Sequence, residues 1–296
     1  MPDRLLRIMV ARHSTFYSPL LSAIGAGFLR QERIKTSYRV LPAGCRSHDL
    51  LRNREVDIMQ SAVSSNWGPM EKGERDLPVH FAQINQRDGF FLVGRARDSS
   101  FRWSKLEGTQ VLADHGSQPL AMLRYAAYYQ GVDCRKMEWI NTGNPEELDA
   151  AFRAGRGHYV HLQSPAAQQL ESDSLGYIVA SVGEAMPPVA FSSVMASRAF
   201  LKTETAKAFL KAFQEAKKWV NQAPVEEIAS AEASFFPGVD LQILAAAVAR
   251  YRKLGCWTGD VDIPRALYEQ ALNVFLHCGA ITRRHAYEEV VAAIPE

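Results

Sequence analysis

The sequence predicts an α/β protein made of two sheet-forming units and a helical C-terminal region. Three observations carry this. Short apolar runs alternate with helical segments over the first 93 residues, and again from Thr109 onward. A polar stretch, Ala96 to Lys105, separates the two series. Beyond Ala196 the strand-like runs stop and helical segments follow one another. Alternating β and α segments argue a mostly parallel sheet.

Taken in order, Leu5 to Ala11 is short and apolar and reads as a buried strand. The loop Arg12 to Tyr17 follows, then a helix over Leu20 to Leu29, with Ser18 as its N-cap and Pro19 at its first position. Ile34 to Leu41 alternates as a second strand, broken by Pro42-Ala43-Gly44. Cys45 to Arg54 is a short helix, and Asp57 to Val63 a third strand ending in Ser64, Ser65, Asn66 and Trp67. Two apolar runs, Val79 to Ile84 and Gly89 to Val93, extend the first unit. The second unit opens with a strand at Thr109 to Ala113, the loop Asp114 to Gln118 and a helix at Pro119 to Gln130. Met137 to Ile140 is a strand. Asn144-Pro145-Glu146-Glu147 opens a helix with a cap, an early proline and two first-turn acids. His158 to Leu162 and Tyr177 to Ser181 read as strands, with Gln163-Ser164-Pro165 starting a helix between them. Val189 to Ala196 is one more strand. Thr203 to Val220, Val225 to Ala233, Leu241 to Leu254 and Pro264 to Phe275 read as helices, and Arg283 to Ile294 as a last short one.

Composition sets bounds. The 296 residues are 47% hydrophobic and 22% charged, ordinary for a globular chain with ample core. Net charge is +2, so nothing demands nucleic acid or an anionic membrane surface. No apolar run approaches the roughly 20 residues of a spanning helix, so no membrane insertion is expected. Met1 to Arg7 leads almost directly into the first strand without a signal peptide; the expected location is periplasmic if a leader was removed and cytoplasmic otherwise. Cys45, Cys134, Cys256 and Cys278 show no C-x-x-C spacing and read as plain small hydrophobes, with a disulfide left open.

The order of elements, with Tyr17-Ser18-Pro19-Leu20-Leu21, Gly27-Phe28-Leu29 and Leu50-Leu51-Arg52-Asn53-Arg54-Glu55-Val56-Asp57-Ile58, resembles the NMT1/THI5-like (SsuA/TauA-like) substrate-binding proteins of ABC transporters. That family typically has a leucine-x-x-glycine-x-aspartate-hydrophobic run where this chain has Arg54-Glu55-Val56 before Asp57. The resemblance implies a two-lobed type II periplasmic-binding-protein fold, its helical C-terminal region packed on lobe one. Lobe one is then 1–93 plus 190–296, lobe two 97–186, and the hinge lies near 94–96 and 187–189. It also implies a small ligand in the interlobe cleft, capture closed by hinge motion, and an ABC permease as partner.

The residues agree with such a site. Open α/β sheets bind ligands outside the carboxyl ends of their strands. Those ends carry His13, Ser14, Thr15, Phe16 and Tyr17; Ser64, Ser65, Asn66 and Trp67; His115, Gly116, Ser117 and Gln118; and Gln163 and Ser164. Hydroxyls and amides can orient a ligand, and Phe16, Tyr17 and Trp67 can cover a flat body. The helix N-terminus near Pro19 favours an anionic or strongly polar group. No cofactor, metal site or catalytic group is expected. His158 and His161 fall on opposite faces of one strand, and Asp114-His115 are sequence neighbours that do not face each other. There is no G-x-S-x-G, H-E-x-x-H or Walker A, and Gly25-x-Gly27 lies within a helix. Lys202, Lys207, Lys211, Lys217 and Lys218 read as a solvated helix face. Two other functions stay open: an enzyme on the same fold, such as a THI5-like pyrimidine synthase, and a cytoplasmic ligand sensor. Such synthases carry a C-C-C-F-C run that this chain lacks.

Overall fold

The computed structural model describes residues 4–295. The chain forms two compact units. Unit one comprises Met1–Gln86, Val189–Leu272 and Ile281–Glu296, and unit two comprises Arg87–Pro188 and Asn273–Ala280.

In chain order the first elements are β1 (Arg4–Val10), α1 (Ser18–Gly25), α2 (Phe28–Gln31), β2 (Ile34–Val40), α3 (Ser47–Arg52), β3 (Ile58–Ser61), α4 (Trp67–Glu71) and β4 (Val79–Asn85). Then come β5 (Phe90–Gly94), β6 (Gln110–Leu112), α5 (Ser117–Tyr129), β7 (Glu138–Ile140), α6 (Pro145–Arg153), β8 (Tyr159–Gln163), α7 (Ala166–Ser172) and β9 (Tyr177–Ser181). The chain ends with β10 (Ser192–Ala196), α8 (Glu204–Gln222), α9 (Val225–Glu232), α10 (Leu241–Leu254), α11 (Arg265–His277) and α12 (Tyr287–Val290).

Unit one holds a five-stranded sheet of order β2-β1-β3-β10-β4. The strands β1, β2 and β3 pair in parallel, and β10 runs antiparallel to both β3 and β4. On β1, Leu6, Ile8 and Val10 are buried at period two, as a sheet facing a core requires. Met9 packs on the other face with Leu51, Val56, Met59 and Met195. Helices α1, α9 and α10 meet at Leu21, Ala229, Phe236 and Leu244. The long α8 starts on Thr203, whose side chain accepts from Ala206 N, and buries Phe209, Phe213, Ala216 and Val220 at helical spacing.

Unit two repeats the plan, with order β7-β6-β8-β5-β9, parallel pairing of β6 with β7 and β8, and an antiparallel β5. Its α6 opens on the expected Asn144 signal. The Asn144 side chain accepts from Glu147 N, and the Glu147 carboxylate accepts from Asn144 N.

Several expectations need correction. The run at 89–93 is not part of the first sheet: β5 pairs with β8 and β9, so the change of unit falls between Gln86 and Arg87. All five β5 residues are buried, and a strand without a polar face carries no mark of the sheet it joins. Residues 273–280, at the end of α11, also belong to unit two. The helix expected from Leu20 to Leu29 is interrupted by Gly27, whose φ of +85° ends α1 and starts α2. Ser18 is the first residue of α1 rather than its cap, Tyr17 standing in the cap position. Lys217 does not join a solvated face. It is buried on α8 and donates to Gln83 O at 3.3 Å and Asp260 O at 2.6 Å. All four cysteines are free thiols. Among the described residues no helix is long and apolar enough to cross a membrane.

Candidate ligand-binding loops

Unit one brings two of the expected loops together, because β1 and β3 are neighbours in its sheet. The Gln60 side chain at the end of β3 ties them, accepting from Ala11 N at 3.0 Å. After β1, the turn Thr15–Tyr17 forms on Ser14, whose Oγ accepts from Phe16 N at 3.1 Å. Phe16 is fully buried, its ring edge-on to Phe191 and tilted against Tyr251. Its carbonyl accepts from Asn85 Nδ2 at 2.7 Å and from Trp257 Nε1 at 2.9 Å. Two buried donors on one carbonyl fix the turn in place. Thr15 and Tyr17 are buried beside it, and Thr15 Oγ1 has no hydrogen-bond partner among the described residues.

His13 is half-buried. Its Nε2 meets the Phe235 carbonyl and its Nδ1 lies 2.9 Å from the Tyr38 hydroxyl. A carbonyl only accepts, so Nε2 carries the proton and, in the neutral ring, Nδ1 accepts from Tyr38. Burial lowers the pKa of this imidazole, which agrees with the neutral ring.

The loop after β3 folds as a turn over Val63–Asn66 and runs into α4. Asn66 is buried and fully engaged, pairing with His48 Nε2 at 2.9 Å and donating to Pro78 O at 2.8 Å. Trp67 is buried too. Its indole donates to Tyr268 Oη at 3.1 Å and its ring stacks with His285. Ser64 and Ser65 are half-buried. Ser65 Oγ lies 3.5 Å from His80 Nε2, while His80 Nδ1 lies 2.8 Å from Ser193 Oγ. This serine–histidine contact does not make an activated nucleophile. Burial, helped by His48, pushes His80 down to about 3, so the ring has little drive to take a serine proton.

Unit two likewise joins its two loops, since β6 and β8 pair. After β6, Asp114 Oδ1 accepts from Gly116 N at 2.8 Å, and His115 Nδ1 donates to Ala113 O at 2.7 Å. Gly116 and Ser117 are exposed, His115 and Gln118 half-buried. The helix α5 starts here at Ser117 without a side-chain cap. Ser164 and Gln163 close β8 and are buried. Gln163 is 9% exposed, and neither its amide nitrogen nor its amide oxygen has a hydrogen-bond partner among the described residues. Gln168 Oε1 on α7 is in the same condition. The β5–β8 register sets Gln163 opposite Phe90, whose ring stacks on His161 at 4.3 Å. His161 is buried while His158, three residues earlier, is exposed.

The expected residues thus divide by what their polar groups do. Asn66, Trp67 and His13 have partners within unit one, and Phe16 is core. Thr15 and Gln163 keep unmet hydrogen-bonding capacity in buried positions, where an unmatched group costs about 1–3 kcal/mol. Sequence reasoning missed Gln60, Asn85, Trp257 and Gln168. Gln60 and Asn85 are polar residues inside apolar strand runs, which was the available signal. Two surface cavities of unit one lie elsewhere. One, about 540 Å³, is lined by Arg30, Arg33 and Lys35, and the other, about 390 Å³, by Lys217, Lys218, Asp260 and Asp262. Among the described residues no three His, Cys, Asp or Glu gather as a metal-binding group.

No protein-family model matches the chain. A curated relative is YtlA of Bacillus subtilis (strain 168), by its name a binding protein whose ligand is unstated. It is 28% identical over 295 residues, covering 98% of this chain and 88% of YtlA. Among solved structures, the ligand-binding component of an ABC-type import system from Staphylococcus aureus, with zinc bound, superposes with a TM-score of 0.77. It is 13% identical and covers 98% of this chain and 97% of its own. The alkanesulfonate-binding protein SsuA from Xanthomonas axonopodis pv. citri, bound to MOPS, gives a TM-score of 0.74 at 15% identity and 99% coverage of both chains. At these identities the likeness shows the fold, which is the two-lobed type II periplasmic-binding-protein fold.

Proposed function

We propose that this chain is a solute-binding protein of the NMT1/THI5-like kind, capturing a small polar or anionic organic ligand for an ABC-type uptake system. The observation that carries the reading is Gln163. A buried amide at the carboxyl end of a strand, with both of its polar atoms unmatched, suits a partner that arrives from solution. Thr15 offers the corresponding group in unit one, after β1. Ligand capture needs no catalytic residue. The fold likeness to a protein named as the ligand-binding component of an ABC-type import system, and to one named as an alkanesulfonate-binding protein, supports the class. YtlA, similar over nearly the whole chain, supports binding as such. Uptake begins outside the cytoplasmic membrane, so an extracytoplasmic working place and a permease partner belong to the proposal.

A thermal-shift screen of sulfonates, pyrimidines and aromatic acids tests it, with mass spectrometry of the denatured protein for any retained ligand. A ligand at a hundredfold excess over its dissociation constant adds about 2.7 kcal/mol by mass action. Thr15→Val and Gln163→Leu should each shrink the shift. Equal shifts in all three proteins would place binding elsewhere.

A further inference from the structure

Beneath the Thr15 turn lies a buried acid. Glu232 is the last residue of α9 and is fully buried. Its position follows from α1, where Ser18, Ser22 and Gly25 recur on one helical face. At Gly25 the Ala231 carbonyl of α9 comes so near that a Cβ would stand 2.0 Å from its oxygen. The close approach sets Glu232 against both serines. Ser22 Oγ lies 2.7 Å from Oε1 and Ser18 Oγ lies 2.9 Å from Oε2. Ser18 Oγ also lies 2.7 Å from the Thr15 carbonyl oxygen.

The protons can be counted. A hydroxyl has one proton, and a carbonyl oxygen only accepts. Ser18 Oγ is placed to donate to both Thr15 O and Oε2 but has one proton for the two; when that proton goes to Thr15 O, which also accepts from Ser18 N, the proton between Ser18 Oγ and Oε2 comes from the carboxyl group. Ser22 donates to Oε1. Every contact is matched when Glu232 is a neutral acid.

We propose that Glu232 is a positioning residue for Thr15: as a neutral carboxylic acid it donates to Ser18, Ser18 holds the Thr15 carbonyl, and loss of the acid proton loosens the turn. The consequence for ligand binding rests on the function proposed above. Burial pushes this carboxyl up to about 8, against a smaller opposing pull from Ser22 and Ser18. Besides burial, the groups that act on this carboxyl are the Ser22 and Ser18 hydroxyls; Arg12, half-buried on the loop after β1, has partners of its own. From the loop after β1 comes His13, engaged with Tyr38 and Phe235 O, and from the adjoining turn Tyr17. From β2 comes Tyr38, whose phenol is raised by burial and further by Tyr17 and Glu232. On α10, the buried Tyr251 packs against Phe16 and Trp257, and the half-buried Arg252 is engaged with the carbonyls of Val220 and Ala223. Glu226 and Glu227 are exposed at the other end of α9.

The test compares wild type with Glu232→Gln, which keeps a donor and an acceptor but cannot ionise. Infrared spectra at pH 6 and pH 9 read the carboxylic acid. Hydrogen exchange of the peptide over residues 12–20, corrected for intrinsic rate, reads the turn. Expected is a buried-acid carbonyl band present at pH 6, lost by pH 9 and absent from Glu232→Gln. Protection of the peptide should fall about tenfold from pH 7 to pH 9 in wild type, following one proton, and stay constant in Glu232→Gln. A missing acid band at pH 6, or the same protection profile in both proteins, overturns the assignment. Titration with MOPS over the same pH range separates the two claims. MOPS binding that weakens above pH 8 only in wild type supports both. A proton-dependent turn in a protein that binds neither MOPS nor any compound of the screen keeps the role of Glu232 and removes the proposed function.

Discussion

Replacing Gly25 by alanine should destabilise the protein although alanine is the better helix former. A solvent-facing Gly→Ala change inside a helix gains about 1 kcal/mol. Here the new Cβ would stand 2.0 Å from Ala231 O, 3.0 Å from Ala231 C and 3.3 Å from the Phe235 ring. An ordinary carbon–oxygen contact is about 3.3 Å or more, so α1 and α9 must part by more than ~1 Å. That movement takes the Ser18 and Ser22 contacts with Glu232, at 2.9 and 2.7 Å, beyond hydrogen-bond length. Buried groups left unmatched cost about 1–3 kcal/mol each, and core overpacking adds about 1–3 kcal/mol. Set against the propensity gain, the net loss is about 2–8 kcal/mol, or roughly 3–13 °C in melting temperature for a chain of this length. Differential scanning calorimetry measures it. Gly27→Ala is the control: with φ at +85° and no atom nearer than Arg30 Cζ at 4.0 Å, it should cost only about 1 kcal/mol. A Gly25→Ala protein as stable as wild type would refute the close-approach reasoning.

Three further outcomes are expected. Burial lowers Lys217 to about 8 from 10.5, so the unfolded chain holds this proton more tightly; stability should climb as pH rises from about 8 toward 10.5, and pH-dependent melts of Lys217→Met should lack that climb. His80, pushed down to about 3 from 6.5, is neutral in the fold, so stability is present above pH 6.5 and falls by up to about 1.4 kcal/mol per unit below it; His80→Gln should flatten that part of the acid-unfolding profile. Glu232, raised to about 8 from 4.5, acts in the opposite sense: its contribution is full below pH 4.5 and is lost as pH rises to about 8, so Glu232→Gln should gain on wild type over that range in the same melts.

Local signals in the sequence were legible where neighbours in the chain decide the structure. Asn144-Pro145-Glu146-Glu147 reads as a helix start and forms the reciprocal cap. The loops after β1, β3, β6 and β8 follow from strand order alone. Long-range facts were not legible. The all-apolar β5 has no polar face to tell one sheet from the other. Lys217 stands among solvent-facing lysines, and only the arrival of Gln83 and Asp260 carbonyls makes it a buried one. The partners of the loop residues lie far along the chain: Asn66 meets His48 and Pro78, Trp67 meets Tyr268, and the Phe16 carbonyl meets Trp257. Tertiary hydrogen bonds of this kind decide which polar side chains hold the scaffold and which stay available. Gly25 shows the same limit. Its spacing with Gly27 suggests a glycine motif, yet its role is set by a carbonyl more than two hundred residues away.

The most direct test of ligand capture is calorimetric titration of the strongest compound from the screen into wild type, Thr15→Val and Gln163→Leu. Each variant removes hydrogen-bonding capacity from one unit. Each should bind roughly 5- to 150-fold more weakly, since one hydrogen bond with a desolvated group is worth about 1–3 kcal/mol, while the unliganded proteins melt within a few degrees of one another. Unchanged affinity in both variants would contradict ligand capture at Thr15 and Gln163.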